Sequence, residues 1–338
     1  MQTFKAYLID KGGDKDGAGT RADWAQLSED RLDPGSVTIR VAYSSVNYKD
    51  ALAATGKGAI IRRFPCVGGI DLAGTVVRSD DARFHEGDAV IATSYDIGVA
   101  HHGGYAEFAR VPGDWVVPLP AGLSLFESMA LGTAGYTAAL AVVRMEENGL
   151  RPSNGRVIVS GATGGVGGLA IDMLAGLGYA VVALTGKEDQ REYLQGLGAS
   201  EVMLRSAIDT AKIRPLDKAL WAGAVDNLGG DVLAWMASTM QQNGTIASVG
   251  LAASAKLNTT VMPFILRGVS LLGVDSGYTA MPLRQRVWSR LAGDLKPRHL
   301  AGMARTIAFD ELPGVFDEFI AGRAHGRVVV AVQPPQPR

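Results

Sequence analysis

The sequence holds a single cysteine, Cys66, in 338 residues. An internal disulfide is therefore impossible, and cysteine-rich zinc sites are excluded. Charge of one sign is also lacking: 33 basic side chains stand against 34 acidic ones, a formal net charge of −1. That balance leaves no electrostatic footprint for nucleic acid or for an acidic membrane surface. A clean apolar run of about 20 residues, the length a membrane span needs, is not found by eye. The longest apolar-looking region, 157–186, is broken by Asp172 and is full of glycine. The N-terminus, Met1 to Asp10, lacks an apolar h-region and a small-residue cleavage site, and reads as a first strand. These absences lead us to expect a cytoplasmic protein that engages neither membrane nor nucleic acid.

What is abundant is apolar surface and glycine. With 47% apolar and 20% charged residues, the chain can bury a large core. Its length suggests about two domains. Glycine occurs 43 times, about twice the usual share. In a globular chain it marks tight turns and close backbone approaches.

Texture divides the chain. Short β-branched runs at 37–43, 74–78 and 88–93, and Tyr105–Val111 after Gly103-Gly104, suggest a barrel-like β module. From Phe126 to Met145 the apolar spacing is helical. From Arg156 the pattern becomes strand, glycine turn, helix, strand, helix. Strands are expected at 156–160, 180–184, 201–204, 219–225 and 245–249, with a sixth at 268–274. Helices are expected at 165–177, 188–197 and 231–240. Continuous apolar strands alternating with helices mean a parallel sheet covered on both faces. The tail reads as helices at 282–295 and 312–321 and a strand at 327–332.

The most informative stretch is Val157-Ile-Val-Ser-Gly-Ala-Thr-Gly-Gly-Val-Gly-Gly168. It carries Ala162-x-Gly164-x-x-Gly167, a dinucleotide fingerprint with alanine first, between a strand and a helix. Thr163, Gly164, Gly165, Val166 and Gly167 form the expected cradle. Gly164 and Gly165 let the main chain approach a pyrophosphate, helix N–H groups hold the anion, and Gly167 allows close packing. The next strand ends in Thr185-Gly186-Lys187 rather than in an acid. Lys187 offers a cation and Thr185 a donor for a 2′-phosphate, and Arg205 adds a second cation, which favours NADPH over NADH. Glu188 and Asp189 read as first-turn acids of the next helix. The alternative is that Lys187 is only a surface lysine.

On these residues the chain resembles the zinc-free branch of the medium-chain dehydrogenase/reductase superfamily. Within it, the sequence is similar to the acrylyl-CoA reductase family, formerly grouped with quinone oxidoreductases. The carriers are Ser44-Ser-Val-Asn-Tyr-Lys-Asp-Ala-Leu52, Gly69-Ile-Asp-Leu-Ala-Gly-Thr-Val76, His102-Gly-Gly-Tyr-Ala-Glu107, Gly132-Thr-Ala-Gly-Tyr-Thr-Ala138, Val261-Met-Pro-Phe-Ile-Leu-Arg267 and Gly273-Val-Asp-Ser276. The resemblance covers essentially the whole chain. It implies an α/β fold: a discontinuous GroES-like, β-rich catalytic domain (1–125 and 277–338) and a Rossmann doubly wound parallel-sheet domain (126–276). It also implies a homodimer, and NADPH-dependent reduction of a C=C bond conjugated to a thioester, with an acyl-CoA or other small enone as substrate. Zinc-using relatives carry Gly-His-Glu where this chain has Gly69-Ile70-Asp71, and a cysteine near Val46–Tyr48. No metal is therefore expected, and the adjacent His101 and His102 are not read as ligands.

In that chemistry the cofactor carries the hard step, and donors aimed at the thioester oxygen stabilise the enolate. Tyr48 is the leading candidate for a group at nicotinamide and substrate; the alternative is a half-buried tyrosine in a turn. Asn47 offers an amide N–H. Asp50 and Asp71 are candidates to position groups or relay protons, or are structural acids. Arg327 matches a charged family position, with a surface salt bridge as the alternative. On the cofactor side, Leu251 follows the fifth strand, and Ile265 and Ser276 are carried over by matching motif. For the phosphates of CoA, Arg284, Arg286, Arg290, Lys296 and Arg298 make one candidate basic patch and Arg62-Arg63 another. The edge at 268–274 offers a strand for pairing with a second copy.

Overall fold

The structure is a computed structural model that describes residues 3–12 and 19–333. The chain forms two compact units. The first takes its described residues from 3–133, 277–285 and 300–333. The second is Ala134–Ser276 with Arg286–His299.

The first unit is organised by the strand Val37–Val46. Eight of its ten residues are β-branched or aromatic, or are small serines turned into the core, and it is buried almost throughout. It pairs antiparallel with Asp71–Ser79 along one edge. Along the other it pairs with Phe108–Val111 and then Arg327–Ala331. Further strands complete a seven-stranded sheet with its core on Ile39, Val41, Leu72, Val76 and Val90. A second sheet joins Thr20–Ser28, Thr3–Lys11 and Cys66–Val67. The strand at 20–28 was not expected, because Thr-Arg-Ala-Asp-Trp-Ala-Gln-Leu-Ser is polar and lies at an edge. The strand Val37–Val46 leads through Asn47 into the helix Tyr48–Thr55. Tyr48 is thus the first residue of a helix and not part of a turn.

The second unit is a parallel sheet of six strands. In spatial order these are Glu201–Leu204, Val181–Thr185, Val157–Ser160, Trp221–Asp226, Met240–Ser248 and Ser270–Gly273. In chain order within the sheet this reads 3-2-1-4-5-6, the doubly wound dinucleotide-binding order. Each strand lies within a few residues of its expected place. Ile158, Val182, Leu184, Ala224 and Ile246 are fully buried, as strands covered on both faces must be.

Two expectations need correction. The single helix at 126–145 is the longer element Leu125–Glu147, broken at Gly132 (φ 51°, ψ −155°). By length and composition it is apolar enough to cross a membrane, contrary to the reading by eye; 83% of its apolar window is buried within the protein, as in a core helix. A short helix, Met262–Arg267, also stands where none was expected.

Candidate functional site

In the second unit the strand Val157–Ser160 ends in the glycine turn, and the helix Gly165–Gly176 begins with Gly164 as its N-cap. The first N–H groups of a helix lack intrahelical partners, so those of Gly165, Val166 and Gly167 are available to an anion. A Cβ on Gly167 would lie 2.3 Å from the Gly161 carbonyl oxygen and 2.9 Å from Ala162 Cα. The helix therefore docks directly on the turn. A Cβ on Gly164 would meet only the Gly161 oxygen, at 3.3 Å. The outer side of the cradle is bare main chain, and a pyrophosphate fits it.

A groove of about 630 Å³ is lined by Gly186, Glu188, Leu204, Arg205, Ser206, Ile208 and the start of the helix Gly230–Thr239, Asp231 included. Arg205 is exposed, and its Nη2 lies 3.5 Å from where a Gly186 Cβ would stand. The absence of a side chain at 186 lets the guanidinium lie over the strand end that selects between NAD and NADP. Ser206 adds a hydroxyl to the lining, and Leu204 and Ile208 add apolar surface suited to a purine. Thr185 is buried, and its Oγ1 accepts the Lys187 N–H at 3.0 Å, shaping the turn. Lys187, Leu251, Ile265 and Ser276 do not line this groove. Leu251 and Ile265 are exposed, and Ser276 Oγ accepts from Thr137 Oγ1 at 2.8 Å.

The sequence reading overlooked the group that fixes the turn from behind. Asp226 ends the strand Trp221–Asp226 and is fully buried. Its carboxylate accepts from Ser160 Oγ (2.7 Å) and from the Gly229 N–H (2.8 Å). Asn227 donates Nδ2 to the Ser160 carbonyl at 2.7 Å. Burial raises the Asp226 carboxyl above its ordinary pKa, against the pull of these donors. The signal was present: loops after the C-terminal ends of such strands carry ligands, and Asp226-Asn-Leu-Gly-Gly230 is one of them.

In the first unit four of the five expected catalytic residues come together, but inside the protein. Asn47, Asp50, Asp71 and Arg327 are all less than a tenth exposed, whereas Tyr48 is 53% exposed. Asp71 Oδ2 accepts from Ser45 Oγ (2.6 Å), Asn47 Nδ2 (2.8 Å) and the Thr133 N–H (2.9 Å). Its Oδ1 accepts from Thr133 Oγ1 at 2.6 Å. Arg327 donates to the Ala130 carbonyl (3.0 Å), to Ser45 Oγ (3.1 Å), to Asn47 Oδ1 (3.3 Å) and to the Val46 carbonyl (3.4 Å). Carboxylate and guanidinium are thus bridged by the Ser45 hydroxyl and the Asn47 amide. Arg327 is no surface salt bridge. Burial lowers its pKa, and Asp71 and Asp50 oppose that.

Asp50 is a helix cap. Its Oδ2 accepts the Asn47 N–H at 2.9 Å and its Oδ1 accepts the Ile70 N–H at 2.9 Å. Burial, and then Asp71, push its carboxyl up to about 7. Tyr105, which donates to the Ser45 carbonyl at 3.0 Å, closes the cluster, and burial drives its phenol well above the ordinary value.

The candidate basic patches are largely internally paired. Arg284 is fully buried rather than on a surface, and donates to Thr93 Oγ1 (3.1 Å) and to the Gly277 carbonyl (3.2 Å). Arg286 pairs with Glu147, and Arg290 with Glu146 and Asp294. Arg62 pairs with Asp96, and Arg63 with Asp33.

A zinc centre does not fit the described residues. No three His, Cys, Asp or Glu side chains among them stand as a ligand set. Burial pushes the Cys66 thiol up to about 12, far from the thiolate that a metal requires. His101 is held on the Arg110 carbonyl (2.8 Å), and His102 Nδ1 accepts the Val67 N–H (3.0 Å).

A doubly wound sheet with a glycine cradle, and a β-rich unit with no metal-ligand set among its described residues, make up a two-unit nucleotide-binding fold. Comparison with known proteins agrees. The alcohol dehydrogenase GroES-like domain matches residues 33–121, and the zinc-binding dehydrogenase family matches 165–292. Acrylyl-CoA reductase AcuI of Ruegeria pomeroyi is 46% identical over 97% of this chain and 99% of its own. "Putative quinone oxidoreductase YhfP" of Bacillus subtilis is 49% identical over 97% of this chain and 98% of its own. The yhdH oxidoreductase from Salmonella enterica, solved in complex with NADP, superposes with a TM-score of 0.93 at 46% identity, over 97% of this chain and all of that one. The chain belongs to the medium-chain dehydrogenase/reductase superfamily, in the group that includes these reductases.

Proposed function

We propose that this protein reduces the conjugated C=C bond of acryloyl-CoA, or a similar enoyl thioester, to the saturated thioester with NADPH. The reaction consumes one NADPH and one proton and yields propanoyl-CoA and NADP⁺. The observation that carries this reading is full-length similarity, at 46% identity, to an acrylyl-CoA reductase. The cradle and the Arg205 groove support it, because they suit a dinucleotide with a 2′-phosphate. We place the enzyme in the cytoplasm as a homodimer. The open edge of Ser270–Gly273 and the exposed Val261, Ile265 and Leu266 beside it support the pairing.

When bound, the reduced nicotinamide supplies the hydride. Gly165, Val166 and Gly167 would hold the pyrophosphate through main-chain N–H groups, with Gly164 leaving room for its approach, and Arg205 and Lys187 would hold the 2′-phosphate. Tyr48, whose hydroxyl has no partner among the described residues, donates to the thioester oxygen as negative charge grows there. Asn47, Asp50, Asp71 and Arg327 are each less than a tenth exposed, and we assign them to shaping the site behind Tyr48.

NADPH oxidation against a panel of enoyl-CoA thioesters and small quinones, with Tyr48→Phe alongside, tests this. We expect the highest kcat/KM with acryloyl-CoA, and a loss of about 10²-fold in Tyr48→Phe, the size of one oxyanion donor. A clear preference for quinones would favour the second reading, quinone reduction, which the name of the Bacillus relative suggests. NADPH binding without turnover of any enone would leave a non-catalytic nucleotide-binding protein.

The groove gives a separate prediction. Arg205→Ala should weaken NADPH binding roughly 10- to 100-fold, as expected for one lost charged hydrogen bond. NADH binding should hardly change. Lys187→Ala should act in the same direction. Titration of nicotinamide fluorescence reads both, and equal losses for the two nucleotides would remove the 2′-phosphate assignment.

A further inference from the structure

The buried cluster of the first unit gathers groups from four places in the chain. Ser45 and Asn47 come from the end of the strand Val37–Val46 and the residue after it. Asp71 opens the strand Asp71–Ser79, and Arg327 opens the strand Arg327–Ala331. Ala130 and Thr133 flank the break in the helix Leu125–Glu147. At that break the helix ladder is interrupted, the Ala130 carbonyl accepts from Arg327, and the Thr133 N–H donates to Asp71.

One side chain of the cluster touches both carboxylates and the guanidinium. Asn47 Nδ2 donates to Asp71 (2.8 Å) and to Asp50 (3.1 Å), its Oδ1 accepts from Arg327, and its main-chain N–H donates to Asp50. An N-cap needs only one side-chain acceptor for the helix N–H groups. Here donor and acceptor ends of the amide are both committed to buried charged groups. The amide accepts from the guanidinium at one end and donates to the carboxylates at the other, spanning a wider gap than the Ser45 hydroxyl, which bridges Arg327 and Asp71 through a single atom. The next residue is Tyr48, the one expected catalytic residue that reaches solvent.

We infer that Asn47, clamped between Asp71 and Arg327, is a positioning residue that sets the direction of the Tyr48 phenol. The inference rests on the reading of Tyr48 as the donor to the substrate. Asp71 and Arg327 act through Asn47, holding its amide in one rotamer while Asp50 fixes its backbone. A catalytic donor must be held within about 0.5 Å of its productive place, and Tyr48, 53% exposed, is the first residue of its helix, directly after the clamped Asn47.

Asn47→Ser separates this role from helix capping, because serine caps as well as asparagine but cannot bridge both charged groups in the same geometry. Arg327→Lys perturbs the clamp from another strand. Full-length protein labelled with 3-fluorotyrosine gives a ¹⁹F resonance for Tyr48, assigned by its loss in Tyr48→Phe. In both variants we expect that resonance to shift or broaden. Melting temperature should stay within a few degrees in Asn47→Ser. An unmoved Tyr48 resonance in Asn47→Ser would overturn the inference, whatever the rates show.

Kinetics then address the catalytic reading. Asn47→Ser should lower kcat about tenfold, with KM for NADPH unchanged, and should cost less than twofold in a Tyr48→Phe background. Equal losses in the two backgrounds would also overturn the inference. If Tyr48→Phe leaves kcat intact while the resonance still moves with Asn47→Ser, positioning stands and the catalytic role of Tyr48 falls.

Discussion

Gly132→Ala is expected to destabilise the first unit by about 4–8 kcal/mol, enough to remove most of the stability of an ordinary domain. Two causes add. At φ 51° and ψ −155° the residue lies in a region that side chains strongly disfavour, a strain of about 1–3 kcal/mol. A Cβ there would also stand 2.6 Å from Asp71 Oδ2, 2.8 Å from Arg327 Nη2 and 2.8 Å from Ser45 Oγ. None of these atoms is the free end of a flexible surface chain; each is fixed by the hydrogen bonds described above. Forcing them apart leaves buried charged groups short of partners, at about 3–5 kcal/mol for a broken buried pair. Gly149 provides the control. It also has a positive φ, +94°, but nothing lies within 4 Å of its Cβ position. Gly149→Ala should therefore show strain alone. Urea unfolding followed by far-UV circular dichroism reads the midpoints. If Gly132→Ala costs no more than Gly149→Ala, the cluster does not hold the break in the helix as argued.

That glycine shows where sequence reasoning stops. The doubly wound unit was legible because its pattern is local. Strand, glycine turn and helix follow within twenty residues, and parallel strands buried on both faces must be apolar. The candidate residues Asn47, Asp50, Asp71 and Arg327 were also legible as a set, through the family motifs. Their burial was not. The Asn47 amide meets a carboxylate 24 residues away and a guanidinium 280 residues away, and such pairing depends on sheet register, which residue types do not encode. The break at Gly132 was hidden for the same reason: within Met129-Ala-Leu-Gly-Thr-Ala134 the apolar period continues, and only the partners supplied by Asp71 and Arg327 make the interruption favourable. Arg284 misled in the opposite direction. Its spacing with Arg286 and Arg290 suggested a basic face, but a guanidinium stacked 4.4 Å from the Tyr95 ring centroid is part of the interior.

Gly167→Ala should abolish useful binding of both NADPH and NADH, raising each Kd by 10²-fold or more. The backbone conformation is not the reason. This residue lies in a helix, and by propensity alone alanine would be better there by about 1 kcal/mol. The obstacle is the main chain of the turn: a Cβ would lie 2.3 Å from the Gly161 carbonyl oxygen and 2.9 Å from Ala162 Cα. Backbone atoms joined to a fully buried strand cannot swing aside, so the helix must lift from the turn. Lifting it by even 1 Å separates the helix N–H groups from the rest of the cradle, and misplacement of that size is enough to lose about two orders of magnitude. Because the pyrophosphate is common to both nucleotides, the two losses should match, unlike the selective loss expected for Arg205→Ala. Gly164→Ala sharpens the test. Its Cβ would meet only the Gly161 oxygen, at 3.3 Å, so the fold should keep nearly its full stability while the methyl group occupies the face on which the phosphate rests. Thermal melts and fluorescence titrations on the two variants should therefore diverge: Gly167→Ala loses stability and binding together, and Gly164→Ala loses binding alone. Tight NADPH binding by Gly164→Ala would mean that the diphosphate lies elsewhere, and the assignment of this turn as the nucleotide cradle would be wrong.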